Sequence, residues 1–319
     1  MEVRHIVLLY FSLVFMLAAC GPNGNDEDTS GQVGVSVFNE IVDIDFYEVR
    51  RTFDTGVSYD SMGFVQSPEW HLRFAKTDSV LVYSPFEDRM LGYKVYHDHE
   101  MYFHFARDSW RVVDVSLDSI TFQRLSLNGL RVNTIKSNVY MKFYSAAYIH
   151  ELIGEDEISV EEKIAELRIP TPQDSAFVRS QAERANNYVN ETDSSFASRN
   201  YATLVSKHPA LTIKKREIEN IDLTEKSPAY EYLYPEYTIT IDPAYRNFRH
   251  DFSVNVDKDG RMHLGKVFVM EDFVDARERV VEGVIDVYLH NWLEITPAQT
   301  LGMPHSSTVY LYVRGREAN

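Results

Sequence analysis

Short runs of alternating or aromatic-rich residues recur between residues 70 and 145, about every 8 to 12 residues. In chain order the runs are WHLRFA, SVLVYS, MLGYKVYH, MYFHFA, WRVVDVS, SITFQRLS and NVYMKFYS. Turn-forming residues separate them, for example Lys76-Thr77-Asp78 and Asn128-Gly129. Alternation places successive side chains on opposite faces of a strand. The pattern therefore predicts an antiparallel β meander over residues 36–149 that closes into a barrel or a sandwich.

The next stretch, residues 150–206, is acidic and has helical spacing. Ser159 followed by Glu162 is a capping box, which satisfies two backbone donors at a helix start. We interpret the stretch as a helical connector. The pattern predicts two helices and a third turn or helix, within residues 160–168, 173–191 and 194–206.

Residues 207–319 combine strands with one amphipathic helix. The runs HDFSVNV and MHLGKVFVM flank Asp257-Lys258-Asp259-Gly260, and an Asp-Gly pair suits the positive φ of a tight hairpin turn. Apolar residues at helical spacing between Val280 and Trp292 predict a helix with Asp275 as its N-cap. The run STVYLYVRGR is expected to close the chain as a strand. The sequence thus predicts a β-rich α+β protein in which short helices join the meander to an α+β module.

The N-terminal segment reads as a secretory signal. An apolar run from residue 6 to residue 16, about 11 residues, follows Arg4 and His5 and is too short to span a bilayer core of about 30 Å. It ends in Leu17-Ala18-Ala19-Cys20, which resembles the lipobox of bacterial lipoproteins, here of the Bacteroidota type. The resemblance implies that residues 1–19 are removed. It also implies that acyl chains such as palmitate on Cys20 hold the protein at the outer membrane, with residues 20–35 as a flexible polar tether.

Which face of the outer membrane carries the protein stays open. Asp26-Glu27-Asp28 in the tether resembles the surface-export signals of such lipoproteins with a looser spacing, so exposure at the surface and a place in the periplasm are both open. The alternatives to lipidation are an uncleaved membrane helix or an ordinary signal peptide with a chance cysteine. Both leave unexplained why the single cysteine of the chain lies at the end of the apolar run.

Charge and cysteine content exclude several classes of function. The chain has 48 acidic and 32 basic residues and a formal charge of -16, which opposes attraction to nucleic acid and to anionic lipid surfaces. A single cysteine excludes an intramolecular disulfide, a cysteine-based zinc site and an iron–sulfur cluster. We therefore expect no nucleic-acid partner.

The meander carries a resemblance to a known fold. The string WRVVDVSLDSITFQRLSLNG…NVYMKFYS, with its Leu-Asp turn and closing Lys142-Phe143 pair, resembles the last hairpins of lipocalin-like domains, and the likeness extends over residues 60–147. It implies a barrel that encloses a small apolar ligand. The candidate ligand-binding side chains are Trp70, Phe74, Tyr93, Phe103, Phe105 and Phe122. The alternative is that these rings simply fill the barrel.

Residues 235–316 resemble the TonB C-terminal domain. The matching positions are Val254, Val256, Asp259-Gly260, Trp292, Pro297-Ala298, Gly302, Pro304 and the strand from Val309 to Val313. The resemblance implies an exposed edge strand that recruits an extended peptide by strand addition, with Val309, Leu311 and Val313 as partner-binding residues. TonB itself has a membrane helix and a basic character, so its role in energy transduction does not carry over. The alternative is that the module only packs against the rest of the chain.

Motifs that carry chemistry are weak in this sequence. His97, His99 and His104 lack the four-residue helical spacing of a zinc protease site, and an exposed turn is the favoured interpretation. Residues 255–260 match the start of a calcium-binding loop by residue type. The twelfth position of that loop is Lys266, whereas calcium binding requires a bidentate Glu there. No nucleophile elbow, phosphate loop or dinucleotide fingerprint occurs.

The sequence therefore predicts no enzyme activity, no metal and no cofactor. It predicts a lipid-anchored envelope protein with a noncatalytic binding or assembly role. The first hypothesis is protein–protein interaction through an edge strand of the TonB-like module, at Lys266 to Met270 or at Val309 to Val313. The alternative hypothesis is a carrier that holds a small apolar ligand in the lipocalin-like barrel.

Overall fold

The computed structural model describes residues 36–75, 78–129, 131–154, 159–189, 196–216 and 230–318. The predicted signal, the tether with its acidic cluster and the lipidation site Cys20 lie outside these residues. No helix in the described ranges is long and apolar enough to cross a membrane.

The first half of the described chain is a meander of short strands. They are β1 Asp45–Phe53, β2 His71–Ala75, β3 Ser79–Ser84, β4 Arg89–Lys94, β5 Tyr96–His99, β6 Tyr102–Phe105, β7 Asp108–Val115, β8 Ser119–Leu125, β9 Leu127–Asn128, β10 Arg131–Val132 and β11 Val139–Ser145. Among the described residues, nine of them form one antiparallel sheet in the order β4-β3-β2-β1-β11-β8-β7-β6-β5, and β9 pairs with β10. The predicted meander is confirmed.

The nine-stranded sheet curls into a nearly closed barrel. Its first and last strands, β1 and β11, pair along their length, so that the chain returns to where it began. The two edge strands, β4 and β5, are consecutive in the chain and separated only by Val95. The two edges of the sheet therefore meet where β4 leads into β5. At this point the chain itself connects the two edge strands, which are not neighbours in the hydrogen-bonded strand order.

Aromatic side chains form the core of this barrel. Alternate residues of the strands point inward and are buried. A 3-10 helix, Ser36–Ile41, adds Phe38 and Ile41 to the same core, and the Phe38 ring stacks on Phe74 with a centroid distance of 4.1 Å. The segment that precedes the barrel is thus packed against its interior.

The connector is helical, as predicted, and its helices are α1 Ala146–Ile153, α2 Val160–Leu167 and α3 Pro172–Asn187. The capping box of Ser159 and Glu162 is present, and a second one joins Thr171 to Asp174. The helix α1 was not predicted. It begins at Ser145, the last residue of β11, which also caps the helix by accepting from the Tyr148 amide.

The predicted third turn or helix within residues 194–206 is wrong for the part that the structure describes. Thr203–Ser206 is strand β12, and it pairs with a strand of the C-terminal unit. The run Thr-Leu-Val-Ser alternates in burial and contains two β-branched residues, which favour a strand.

The C-terminal unit is a sheet with the helix Val274–Val284 packed on the face that carries Val309, Leu311 and Val313. Its further strands are β13 Leu211–Lys215, β14 Glu236–Ala244, β15 Phe248–Val256, β16 Met262–Val267, β17 Leu293–Thr296, β18 Gln299–Thr300, β19 Met303–Pro304 and β20 Ser307–Glu317. Its helices are α4 Tyr230–Leu233, α5 Val274–Val284 and α6 His290–Trp292, with a π-helical turn, Ile285–Leu289, between the last two. Within the described ranges the main sheet has five strands in the order β13-β14-β20-β15-β16.

One detail of this unit differs from the prediction and another confirms it. Asp275 is not an N-cap, because a 3-10 turn, Glu271–Phe273, leads into α5 and Phe273 occupies the cap position. Asp275 lies in the first turn instead, where its negative charge interacts favourably with the positive end of the helix dipole. The predicted hairpin turn is present: Asp257 accepts hydrogen bonds from the amides of Asp259 and Arg261, and Gly260 has a φ of 78°.

Candidate functional site

The predicted partner-binding residues do not lie on a free edge. Val309, Leu311 and Val313 belong to β20, which lies between β14 and β15 in the middle of the sheet. All three side chains are buried under α5. The prediction of an edge at this strand is wrong, because β20 pairs in parallel with β14, a long-range pairing that the local pattern does not indicate. The edge of the sheet on the β15 side is β16.

The predicted ligand-binding rings lie mostly inside the barrel core. Phe74, Phe103, Phe105 and Phe122 are buried and pack on one another; the Phe105 and Phe122 rings, for example, are 5.8 Å apart. Tyr93 packs against the same cluster and is partly exposed. A ligand inside the barrel would have to displace these rings, so the packing favours the interpretation in which they form the core.

Trp70 is different, since it also borders a groove outside the barrel. Its ring contacts Trp110 of the core edge-on at 5.1 Å, and it lines an open groove of about 430 Å³ between the outer face of the barrel and α2. We call this the aromatic groove. Its lining residues are Tyr47, Glu69, Trp70, His71, Tyr83, Arg89, Met90, Glu161, Ile164 and Arg168.

Strand register builds the floor of the aromatic groove. Tyr47 of β1 pairs with His71 of β2, and the pairings of β2 with β3 and of β3 with β4 place Tyr83 and Met90 in the same row. Phe46 and Leu72, their neighbours along the strands, are buried, so the row faces outward. The Tyr47 and His71 rings stack at 4.1 Å, and the His71 and Tyr83 rings are 6.2 Å apart. The result is a continuous platform of rings.

A carboxylate fixes the orientation of the His71 ring. His71 Nε2 lies 2.8 Å from Asp45 Oδ1, and Arg73 donates two hydrogen bonds to the same carboxylate. Burial alone would raise the pKa of Asp45, but the hydrogen bonds from Arg73 and His71 hold it below its ordinary value. The carboxylate therefore stays charged and keeps the imidazole in place.

Tyr47 is protonated throughout the physiological range. Burial, with smaller contributions from the negative charges of Asp45 and Glu161, raises its pKa to about 12. A phenol with such a pKa offers a hydrogen-bond donor and an aromatic face but no ready base. The side chain is suited to binding.

The helix α2 forms the roof of the groove. Its Ile164 side chain is buried, and the ammonium group of the buried Lys163 lies 3.0 Å from His150 Nδ1 and donates to the Gly154 carbonyl oxygen. Just after the helix, Arg168 donates from Nε at 3.0 Å and from Nη2 at 2.7 Å to the carbonyl oxygen of Glu48 in β1. These contacts hold Glu161 and Arg168 above the aromatic row.

A buried carboxylate that sequence reasoning missed supports the floor from behind. The Glu48 side chain is fully buried and Oε2 accepts from the amides of Glu69 and Trp70 at 2.8 and 3.0 Å, while Arg51 donates to both of its oxygens. The signal for it was an acidic residue followed by arginine three positions later within an otherwise strand-like run. Glu48 fixes the position of Trp70 in the groove.

A second cavity of about 310 Å³ lies where the loop after β1 meets the C-terminal unit. Thr300 lines it, and its hydroxyl lies 3.0 Å from Nε2 of the buried His305. His305 Nδ1 lies 3.1 Å from the Ser306 carbonyl oxygen, which only a protonated Nδ1 can satisfy, so Nε2 accepts from Thr300. Burial lowers the pKa of His305, which keeps it neutral.

The histidines of the β5–β6 region do not assemble a metal site. His97 Nε2 lies 2.9 Å from the Glu100 carbonyl oxygen, His99 contacts Asp98, and His104 Nδ1 lies 2.9 Å from the Ser109 hydroxyl. Each ring thus has its own neighbour. No group of three or more His, Cys, Asp or Glu side chains in the described ranges could hold a metal ion.

No family model matches the chain, and no curated protein matches it significantly. The function has to be inferred from the grooves and their chemistry.

Proposed function

We propose that the chain is a lipid-anchored protein of the outer membrane with a noncatalytic binding role, and that the aromatic groove is its ligand site. In this proposal, acyl chains on Cys20 hold the protein at the membrane and the nine-stranded sheet is a lipocalin-like barrel that binds its ligand outside. The packed barrel serves as the scaffold.

The row of rings carries the proposal. Tyr47, His71 and Tyr83 lie side by side on the outer face, and Trp70 joins them at the edge of the core. Ligand sites are typically concave, of about 300 to 1,000 Å³, and lined by aromatic side chains with a few polar groups. The aromatic groove, at about 430 Å³, has this size and composition. Its rings are also held rigidly, by Asp45 and Glu48, before any ligand arrives.

Binding of a neutral aromatic dye tests the proposal. Phenylnaphthylamine becomes fluorescent on entering an apolar site, and we expect it to bind the full chain with a stoichiometry of one. Tyr83→Ala removes an exposed ring of the platform and should weaken binding about tenfold, since burying an aromatic ring is worth about 1.5 to 3 kcal/mol.

Tyr96→Ala is the matched control. Tyr96 is an exposed tyrosine of β5, the strand at the other end of the sheet, and it does not line the groove. Its loss should leave the dye affinity within a factor of two. Equal effects of the two substitutions, or no binding by the unsubstituted chain, would contradict the proposal.

A second candidate function is recruitment of a partner by strand addition at β16. This strand is at an edge of the sheet, and the segment that follows it exposes Phe268 and Met270 at 52% and 73% of their surfaces. An edge strand offers unpaired backbone groups, and neighbouring apolar side chains add affinity. The α+β unit would then act as a TonB-like module through β16 instead of the last strand.

Affinity capture from solubilised envelopes tests this candidate. The double substitution Phe268→Ala with Met270→Ala should remove a partner that the unsubstituted chain captures. Val287→Ala, which shortens an exposed apolar residue of the π-helical turn, should retain it. Retention of the same partner by the double variant would refute the strand-addition candidate.

A further inference from the structure

A second groove adjoins the aromatic groove, and its charge is of the opposite sign to that of the chain. It has a volume of about 270 Å³ and lies where β1 and the loop after it meet the end of α2 and the start of α3. We call it the basic groove. Its charged lining residues are Arg50, Arg51, Arg168, Arg199 and Asp174. Four guanidinium groups against one carboxylate stand out in a chain with a formal charge of -16.

Two of these arginines are neutralised inside the protein. Arg50 pairs with Asp174 at 3.2 Å, and Arg51 pairs with the buried Glu48 at 2.6 Å. Those pairs explain why both arginines are present. They leave Arg168 and Arg199 as the groups with charge to offer a ligand.

Arg168 and Arg199 form no salt bridge among the described residues, although the carboxylates of Glu48 and Glu69 act on the Arg168 guanidinium from a longer distance. None of the ion pairs among the described residues includes either of them. Arg168 is held by the Glu48 carbonyl oxygen, and Arg199 Nη2 donates to the Ser67 hydroxyl at 2.7 Å. A guanidinium has five N–H donors, so each retains donors beyond those bonds. Both groups are thus oriented by neutral partners and free to bind an anion.

Arg168 lines both grooves and so joins them. On its aromatic side the charges balance, because Glu69 and Glu161 offset Arg89 and Arg168 itself. On its basic side, Arg199 adds a guanidinium that forms no salt bridge among the described residues, so the positive charge there comes from Arg199 beside Arg168. A ligand that lies across Arg168 would therefore meet rings at one end and positive charge at the other.

We propose that the ligand carries an anionic oxygen group, a sulfonate, sulfate, phosphate or carboxylate, which binds between Arg168 and Arg199 while its ring portion lies in the aromatic groove. The inference rests on the proposed function of the aromatic groove and adds the chemical class of the ligand. The hydroxyls of Ser58 and Ser67 also line the basic groove and supply further donors. Charge-assisted hydrogen bonds to such groups are stronger than neutral ones.

Two dyes that differ by one anionic group test the proposal. Anilinonaphthalene sulfonate has the same aromatic frame as phenylnaphthylamine and adds a sulfonate. We expect the full chain to bind the sulfonate dye more tightly than the neutral dye at low salt. Arg199 lines only the basic groove, so Arg199→Gln should weaken the sulfonate dye about tenfold and leave the neutral dye within a factor of two. Arg168 lines both grooves, so Arg168→Gln should weaken the sulfonate dye about tenfold more than it weakens the neutral dye.

Arg249→Gln is the matched control, because Arg249 is an exposed arginine of β15 that lines neither groove and pairs with Asp251. It removes the same charge and should leave the affinity for the sulfonate dye within a factor of two. Arg168→Lys keeps the positive charge but lacks the planar guanidinium that can donate two parallel hydrogen bonds. Its affinity for the sulfonate dye should lie between those of the unsubstituted chain and Arg168→Gln. Melting temperatures of all variants report whether the fold is retained.

The outcomes separate the two proposals. Equal affinity of the two dyes, no effect of either basic-groove substitution on the sulfonate dye, or equal weakening by Arg249→Gln would overturn the anionic class while leaving the aromatic site intact. Equal weakening of both dyes by Arg168→Gln would overturn it as well, since the loss would then be one of groove shape. Failure of the neutral dye to respond to Tyr83→Ala would instead refute the aromatic groove as the site.

Discussion

A single buried carboxylate determines much of the geometry around the aromatic groove. The Glu48 carboxylate accepts from two successive amides just before β2 and from Arg51, and the Glu48 carbonyl oxygen accepts from Arg168. A buried anion is stable only when such donors surround it. The same residue therefore stabilises the barrel, orients Trp70 and holds Arg168 over the groove.

Glu48→Ala should be strongly destabilising. It leaves the Arg51 guanidinium and two amides without their acceptor, and breaking one side of a buried ion pair costs about 3 to 5 kcal/mol. Urea unfolding followed by circular dichroism measures the change. Glu69→Ala, which removes an exposed carboxylate in the same loop, should alter the unfolding free energy by less than about 1 kcal/mol. Comparable losses would show that Glu48 is not the support described here.

The buried His305 predicts how stability depends on pH. Its folded pKa is below the unfolded value of 6.5, because burial disfavours the imidazolium. As the pH falls below about 6.5 the unfolded chain takes up the proton first, so the free energy of unfolding decreases until the folded pKa is reached. The stability contributed by the neutral histidine is thus complete above this window and lost below it.

Denaturant unfolding between pH 7 and pH 5 measures the effect. His305→Gln should reduce the slope of the unfolding free energy against pH, because the group that titrates is gone. His99→Gln, at an exposed turn, should leave the slope nearly unchanged. A slope that is insensitive to His305→Gln would mean that other groups govern the acid response.

At the scale of elements, the local signals were reliable and the long-range pairings were not. The capping box at Ser159 and the Asp-Gly hairpin turn were readable because each depends on residues a few positions apart. The central position of β20 could not be predicted, because it follows from parallel pairing with β14, which lies about 70 residues earlier in the chain. The helix α1 was missed because its N-cap is also the last residue of a strand.

The candidate site was predicted only in part, for the same reason. Trp70 was named for its ring and lines the groove, but its partners Tyr47, His71 and Tyr83 come from three different strands. They form a row only through the register of β1, β2 and β3. The alternation of each strand predicts which residues face outward, whereas the register between strands has to be observed.

Loss of the capping box at α2 should loosen the roof of the aromatic groove. The Ser159 hydroxyl accepts from the Glu162 amide, and Ser159→Ala should cost about 1 kcal/mol at the first turn of the helix. We expect faster amide exchange in α2 and a two- to fivefold weaker binding of the sulfonate dye. Thr171→Ala removes the equivalent cap of α3 and should speed exchange there without the same effect on α2. If exchange in α2 does not change, the cap does not support the roof.

At the scale of the whole molecule, the basic groove depends on both halves of the chain. Arg199 follows the connector helices, yet it reaches Ser67 in the loop after β1. The nearby Ala197 amide contacts the same loop, because it donates to the Met62 carbonyl oxygen at 2.7 Å. The strongly acidic surface elsewhere should repel free anions, so an anionic ligand would gain its affinity from this one local reversal of charge.

The membrane attachment proposed above depends on Cys20. The chain has no other cysteine, and its overall negative charge opposes binding to anionic lipids. In this proposal the barrel would remain near the membrane surface, because about 15 residues of any conformation span at most about 50 Å. In the cells that make it, Cys20→Ser should abolish incorporation of labelled palmitate and shift the protein from the membrane fraction to the soluble fraction.

The matched control is Ser30→Ala, a nearby change that leaves the cysteine in place, and this variant should stay with the membranes. Cys20→Ser protein that still sediments with membranes after a high-salt wash would show that another part of the chain provides the attachment.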